Sequence, residues 1–219
     1  MTYKAFRTFN VGLWLAVPAA LTGSGCGPDP TASNPTASNS AVNIGAIDRT
    51  GSTVGLRQAQ LDQLDTVATA AAAKGERLSV WAFDTTPVQV WGPECPASTD
   101  DLADIKDKQF GTDRTPHMTR PALLLEAIAA DPVIARSSSV ALVIMTDGDQ
   151  EYATDLPRLS AAARTLGGRK GFRIVVIDVN PENRRMWTAV LAREFGDRFV
   201  VAGQAEAQAV LQQFLKGDK

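Results

Sequence analysis

Three oxygen-bearing side chains follow the first apolar run of the chain at alternate positions. Asp48 ends a run that begins at Ile44, and Thr50 and Ser52 come directly after it. Alternate residues of an extended segment share one face, so the three side chains can point the same way. Carboxylate and hydroxyl oxygens are hard ligands that suit Mg²⁺ or Ca²⁺ and suit zinc poorly. The spacing therefore predicts part of a divalent-cation site on a strand-to-helix turn.

Two more polar positions have the context needed to complete such a site. Asp147 follows the apolar run 139–145, and Thr119 precedes a predicted helix whose first turn contains Pro121. In open α/β sheets ligands bind beyond the carboxyl ends of the strands. Asp48 and Asp147 both stand at such ends, and the helix after Thr119 opens on the same side. We therefore expect these side chains to lie together.

The elements that must position them alternate between strand and helix. Strands are predicted at 41–48, 77–83, 88–91, 139–145, 172–179 and 198–201, and helices at 100–110, 122–130, 156–166, 181–195 and near 207–214, with a first helix ending near Gly75. Continuous apolar strands separated by helices predict an α/β, doubly wound, mostly parallel sheet with helices on both faces. The short connection from the second strand to the third predicts a hairpin, and therefore one antiparallel edge strand.

This layout resembles a von Willebrand factor A domain, over about residues 41–216. The resemblance assigns the metal-ion-dependent adhesion site of that family to five residues, which are Asp48, Thr50, Ser52, Thr119 and Asp147. It implies that the hydroxyl groups bind the cation directly and that the aspartates bind it directly or through water. It also implies that a carboxylate from a protein partner completes the coordination shell.

The sequence departs from the family pattern in two places. The family usually has serine where this chain has Thr50, and the Gly-Gly usual before the isolated threonine is missing. Thr115 therefore stays an alternative to Thr119, although the spacing to the helix favours Thr119. Mg²⁺ is the expected ion because it readily keeps water ligands in an octahedron of oxygens, with Ca²⁺ or Mn²⁺ as alternatives. Arg49 is expected beside the ion, where it would meet an acidic partner.

The site predicts binding rather than catalysis, because no general base stands beside an activated water. An alternative is a phosphatase of the haloacid dehalogenase type, which also uses Mg²⁺ and an aspartate after the first strand. That chemistry commonly needs a second aspartate two residues later, where this chain has Thr50. A metal-free scaffold, in which the turn is purely structural, is the third hypothesis.

The first 40 residues have the composition of targeting and linking segments. Residues 1–25 contain a basic start and an apolar core and predict a secretion signal that resembles a bacterial lipoprotein signal ending before Cys26. Residues 26–40 repeat Pro-Thr-Ala-Ser-Asn and predict a flexible tether, leaving 41–219 as the domain. A lipid on Cys26 would hold the domain at a membrane, in the bacterial periplasm or at the cell surface. Without lipid, a disulfide bond between Cys26 and Cys95 becomes possible.

The net charge of the chain bears on whether it binds nucleic acid. The chain has 219 residues and a formal net charge of −2. A domain of this size can bury a full core. The balance of charge gives no basic surface for nucleic acid, so we expect no nucleic-acid partner.

Overall fold

The computed structural model describes residues 41–110, 118–149 and 153–217, and within them six strands form one sheet. The strands are β1 (Ala41–Asp48), β2 (Arg77–Phe83), β3 (Val88–Glu94), β4 (Ser139–Met145), β5 (Phe172–Ile177) and β6 (Phe199–Val201). Their order across the sheet is β3-β2-β1-β4-β5-β6. The predicted signal and tether, 1–25 and 26–40, lie outside the described residues and stay predictions.

β1 occupies the middle of the sheet and runs parallel to both of its neighbours, β2 and β4. β5 and β6 continue in the parallel direction, whereas β3 is antiparallel to β2 at the edge. The connection between β2 and β3 is too short for a crossover, which explains the one antiparallel pair. The predicted fold class, a doubly wound and mostly parallel sheet, is confirmed.

The helices are α1 (Arg57–Lys74), α2 (Ala103–Ile105), α3 (Pro121–Ala130), α4 (Pro132–Arg136), α5 (Leu156–Gly167), α6 (Pro181–Phe195) and α7 (Ala207–Lys216). Two apolar clusters fill the space between helices and sheet. One holds buried residues of α3, α5 and α6, and the other holds those of α1 and α7, so both faces are covered. Among the described residues no helix is both long and apolar enough to span a bilayer.

Several predicted boundaries differ from the structure for local reasons. The single polar helix predicted over 100–110 is a series of short helical turns from Thr99 to Phe110. α4 was not predicted; it starts at once after α3 because Asp131 Oδ1 accepts hydrogen bonds from the next two free backbone N–H groups. β5 ends at Ile177, two residues earlier than predicted, because Asp178 has a left-handed backbone with φ of 68°.

Candidate metal centre

Asp48 is the buried centre of the site. It is the last residue of β1, its side chain is fully buried, and both of its carboxylate oxygens accept hydrogen bonds. Oδ1 accepts from the backbone N–H of Thr50 at 2.9 Å and from the hydroxyl of Thr50 at 2.7 Å, and Oδ2 accepts from the hydroxyl of Thr146 at 2.7 Å. Burial raises the pKa of Asp48 to about 6, although these hydrogen bonds oppose the rise.

Three hydroxyl groups line up next to that carboxylate. Thr119 Oγ1 donates to Thr50 Oγ1 at 3.2 Å, and Thr50 Oγ1 lies 3.2 Å from Ser52 Oγ. Thr50 and Thr119 are buried, whereas Ser52 is exposed. The short 3-10 helix Gly51–Leu56 creates this exposure, because it turns the chain outward before α1. The hydroxyl row therefore runs from the protein interior to solvent.

Asp147 lies on the neighbouring loop, two residues after β4. It is 3% exposed, and its negative charge adds to the rise in the pKa of Asp48, so the two carboxylates are close enough to interact. Parallel pairing places Ile47 of β1 beside Met145 of β4, so the chain leaves both strands at the same edge. The two aspartates thus meet as predicted, at the carboxyl edge of the sheet.

The start of α6 holds the Asp147 loop in place. The backbone carbonyl of Asp147 accepts hydrogen bonds from Asn180 N at 2.9 Å and from Asn183 Nδ2 at 3.2 Å. Trp187 Nε1 donates to the carbonyl of Gly148 at 3.3 Å. Trp187 is fully buried, and its hydrogen bond also anchors the backbone of the site. Its distance of 40 residues from Asp147 hides this role in the sequence.

Thr146 supports the site but is not one of the five predicted ligands. In the structure its hydroxyl donates to Asp48 and accepts the backbone N–H of Gly148 at 3.0 Å. Thr146 therefore joins the two aspartate-bearing strands, and the adjacent Asp147 is oriented by that link.

Arg49, which was expected beside the ion, forms a buried ion pair with a residue of a neighbouring loop. Its side chain is buried, and Nη2 donates to Asp84 Oδ2 at 3.1 Å. Asp84 follows β2, and its backbone carbonyl accepts the N–H of Arg120, the residue after Thr119. The ion pair therefore connects the metal turn to the loop that carries Thr119. Sequence spacing could not reveal it, because it depends on β1 and β2 being neighbours.

The donor set matches a hard divalent cation. Among the described residues no three His, Cys, Asp or Glu side chains form a cluster that could hold a metal ion. The two carboxylates and three hydroxyls supply oxygen alone, the ligand chemistry of Mg²⁺ and Ca²⁺. Because Ser52 is exposed, the outer side of the site is open to a further oxygen ligand.

Thr115, the alternative to Thr119, and Cys26 lie outside the described residues. Thr119, the candidate that the spacing to α3 favoured, donates a hydrogen bond to Thr50. The assignment of five metal ligands stays a prediction, which the geometry supports.

No protein-family model and no curated protein matches the chain. Solved structures do match it in fold. Proximal thread matrix protein 1 from the mussel byssus superposes with a TM-score of 0.57 at 14% identity, covering 81% of this chain and 46% of that one. A second structure of that mussel protein has a zinc-occupied metal-ion-dependent adhesion motif. The chain thus spans about half the length of the first of these neighbours.

Two bacterial structures extend the comparison. An aerotolerance-related membrane protein from Bacteroides fragilis has a TM-score of 0.53 at 13% identity, with 81% of this chain and 99% of that chain covered. A von Willebrand factor type A protein from Catenulispora acidiphila has a TM-score of 0.50 at 16% identity, with coverages of 80% and 42%. At such identities the likeness shows the fold, a von Willebrand factor A-like α/β sheet, and leaves the activity open.

Proposed function

We propose that this chain is a binding module that recognises a protein partner outside the cytoplasm through a bound divalent cation, most simply Mg²⁺. One observation carries the proposal. Residues far apart in sequence, Asp48, Thr119 and Asp147, bring oxygen atoms to one edge of the sheet next to the exposed hydroxyl of Ser52.

The residues present fit this role. Asp48, Thr50, Ser52, Thr119 and Asp147 would hold the ion, and the ion would supply an electrostatic attachment point for an anionic ligand. Asp48 and Asp147 are buried, and their negative charges would offset much of the charge of a bound cation. A carboxylate of the partner fits the open side, because an exposed position over a cation favours an oxygen anion. We propose no catalytic role for these residues.

Calorimetric titration of the purified protein with Mg²⁺, Mn²⁺ and Ca²⁺ tests the site. We expect one ion per chain for the wild type and no measurable binding for Asp48→Asn, which removes the central charge but keeps the size of the side chain. Asp62→Asn removes a charge from an exposed position on α1 and is the matched control. Equal binding by all three proteins, or none by the wild type, would overturn the proposal.

Affinity capture tests the partner half of the proposal. Immobilised wild-type protein and Asp147→Asn are each exposed to an envelope extract with Mg²⁺ or with a chelator. We expect a partner that the wild type retains in Mg²⁺, that the chelator releases, and that the variant fails to bind. Retention that ignores both chelator and substitution would contradict binding through a cation. A separate assay tests the phosphatase alternative. We expect the purified protein to leave a generic phosphate ester unhydrolysed in the presence of Mg²⁺.

Attachment to a membrane is a separate part of the proposal. Cys26 is the predicted site of the lipid, and the sequence has one other cysteine, Cys95. A sulfur that carries a thioether-linked lipid cannot also form a disulfide, so the two states exclude each other within one chain. Lipidation of Cys26 and a disulfide bond between Cys26 and Cys95 both stay predictions. Intact mass before and after reduction distinguishes a lipid adduct from a disulfide, which gains two hydrogens.

A further inference from the structure

A second buried carboxyl group lies at the same edge of the sheet but outside the candidate metal centre. Asp178 follows β5, is 2% exposed and has a left-handed backbone. Its Oδ1 accepts a hydrogen bond of 3.0 Å from Nε2 of Gln63, a buried residue of α1 that is 115 positions away. The contact joins the helix after the metal turn to the loop after β5.

The pair contains two unsatisfied atoms, one on each partner. Within the described part of the chain, Asp178 Oδ2 and Gln63 Oε1 are buried and have no hydrogen-bond partner. If Asp178 is ionised, both atoms are acceptors and neither can satisfy the other. A proton on Oδ2 supplies the missing donor, and the two groups then form a closed acid–amide pair with two hydrogen bonds. Buried polar groups left unpaired are costly, so the protonated state is strongly favoured.

Among the described residues, no charged group forms a hydrogen bond or an ion pair with Asp178. On α1, Arg57 donates to the backbone carbonyl of Asp48 and to Gln60, and Asp62 faces solvent. On the side of α6 and α7, Arg184 pairs with Glu206. The pKa of Asp178 is raised by burial and is opposed only by the hydrogen bond from Gln63, with no contribution from a charge. The raised pKa and the unsatisfied atoms of the pair therefore both indicate that Asp178 is protonated.

The position of the pair explains what it can do. Two residues beyond Asp178, the N–H of Asn180 binds the carbonyl of Asp147. One turn before Gln63, Gln60 Nε2 donates to the carbonyl of Met145 at the end of β4. The side chains of α1 thus hold the ends of β4 and β5 together, and the loop carrying Asp147 leaves from between them.

We propose that Asp178 is a neutral carboxylic acid that shares two hydrogen bonds with Gln63, and that this pair is a positioning device for the Asp147 loop. The first part stands on the contacts of the pair alone. The second part rests on the proposed cation-binding function. Asp178 would act through Asn180 and would not touch the ion.

Thermal unfolding from pH 4 to pH 8, in the presence of chelator, tests the neutral acid. An acid whose pKa is raised by folding contributes stability that is complete below the unfolded value of 3.8 and is lost as pH rises through the folded value. Asp178→Asn cannot titrate, can form both hydrogen bonds and tolerates the left-handed backbone. We therefore expect its midpoint to gain at least about 2 °C on the wild type between pH 4 and pH 8.

Asp62→Asn is the control for loss of one charge, and its midpoint should follow the wild type at every pH. A difference between Asp178→Asn and wild type that does not change with pH would overturn the neutral acid. Direct titration of the Asp178 carboxyl carbon by NMR in the wild type gives an independent check. A pKa of Asp178 at or below the ordinary carboxyl value would also overturn the neutral acid.

Metal titration at pH 7 tests the positioning role. Gln63→Leu removes the partner of Asp178, and we expect its Mg²⁺ affinity to fall by about tenfold, as for other groups that orient metal ligands. Asp178→Asn keeps the pair and should retain wild-type affinity. Unchanged affinity in Gln63→Leu would overturn the positioning role. Failure of the wild type to bind Mg²⁺ would overturn the proposed function and this role, while the pH series would still judge the acid–amide pair.

Discussion

The backbone conformation and close packing of Gly148 hold the preceding residue, Asp147, at the site. The φ of Gly148 is +89°, and an added Cβ would lie 2.8 Å from Val179 Cγ1 and 3.0 Å from Trp187 Nε1. Gly148→Ala should therefore lower the free energy of unfolding by about 2–4 kcal/mol, because strain and overpacking add. The loop must move to relieve the contact, so Mg²⁺ affinity should fall as well. Chemical denaturation and metal titration measure the two effects.

Gly55→Ala is the matched control for Gly148. Gly55 lies in the same 3-10 helix as Ser52, and a Cβ there would meet nothing within 4 Å. Alanine should leave stability unchanged or raise it by up to about 1 kcal/mol. If both variants lose stability equally, the close packing at Gly148 is not the cause.

At the scale of single residues, the sequence indicated the candidate metal ligands better than it indicated the residues that hold them in place. Asp48 and Thr50 could be paired from spacing alone, because local geometry fixes the face of a turn. The hydroxyl of Thr146 could be noticed, yet its contact with Asp48 depends on the register between two strands. The ion pair between Arg49 and Asp84 could not be predicted for the same reason, since Asp84 becomes a neighbour of Arg49 only when β1 and β2 pair. Long-range pairing is what spacing cannot encode.

The helices on one face of the sheet are tied to each other close to the site. At the start of α3, Arg120 Nε and Nη2 donate to the two oxygens of Asp155 at 2.8 and 3.0 Å. Asp155 is buried and immediately precedes α5, so this bidentate pair fixes the entry of α3 directly after Thr119. The hydrogen bonds from Arg120 hold the pKa of Asp155 below its ordinary value of 3.8.

Asp155→Asn should reduce the free energy of unfolding at pH 7 by about 1–2 kcal/mol, a modest figure because Arg120 is partly exposed. A lowered pKa gives stability that is present above the unfolded value and is lost as pH falls through the folded value. The difference between variant and wild type should therefore shrink below about pH 4. Urea unfolding at pH 7 and pH 3 measures it.

The control for this ion pair is Asp104→Asn. Asp104 pairs with Lys108 on the surface, where both side chains are largely exposed, so its removal should cost little at either pH. An equal loss in both variants would contradict a special role for the link between α3 and α5.

At the scale of elements, burial on two faces made the strands visible in the sequence. The parallel strands β1, β4 and β5 are nearly continuous apolar runs, so their existence could be predicted, whereas their order across the sheet was not. The segment 99–110 could not, because most of its residues are polar and its short turns follow from local capping, as at Ser98. α4 was missed because Asp131 and Pro132 both end one helix and begin the next.

In the whole molecule, the apolar core and the candidate metal centre occupy different places. Its two apolar clusters lie on opposite faces of the sheet, whereas the candidate metal centre occupies one edge between them. The edge is assembled from β1, β4 and the start of α3, which meet only after the sheet has formed. A ligand that binds there can therefore stabilise the folded state without taking part in the core.

Mg²⁺ should accordingly raise the thermal midpoint of the whole domain. The unfolded chain separates Asp48, Thr119 and Asp147, so it cannot offer the assembled site, and binding favours the native state. At a free ion concentration of about 100 times the dissociation constant, the gain is about 2.7 kcal/mol, or about 5–10 °C for a domain of this size. Asp48→Asn should show no such rise in a thermal scan. An equal rise in that variant would mean that the ion acts as a general salt rather than at these five side chains.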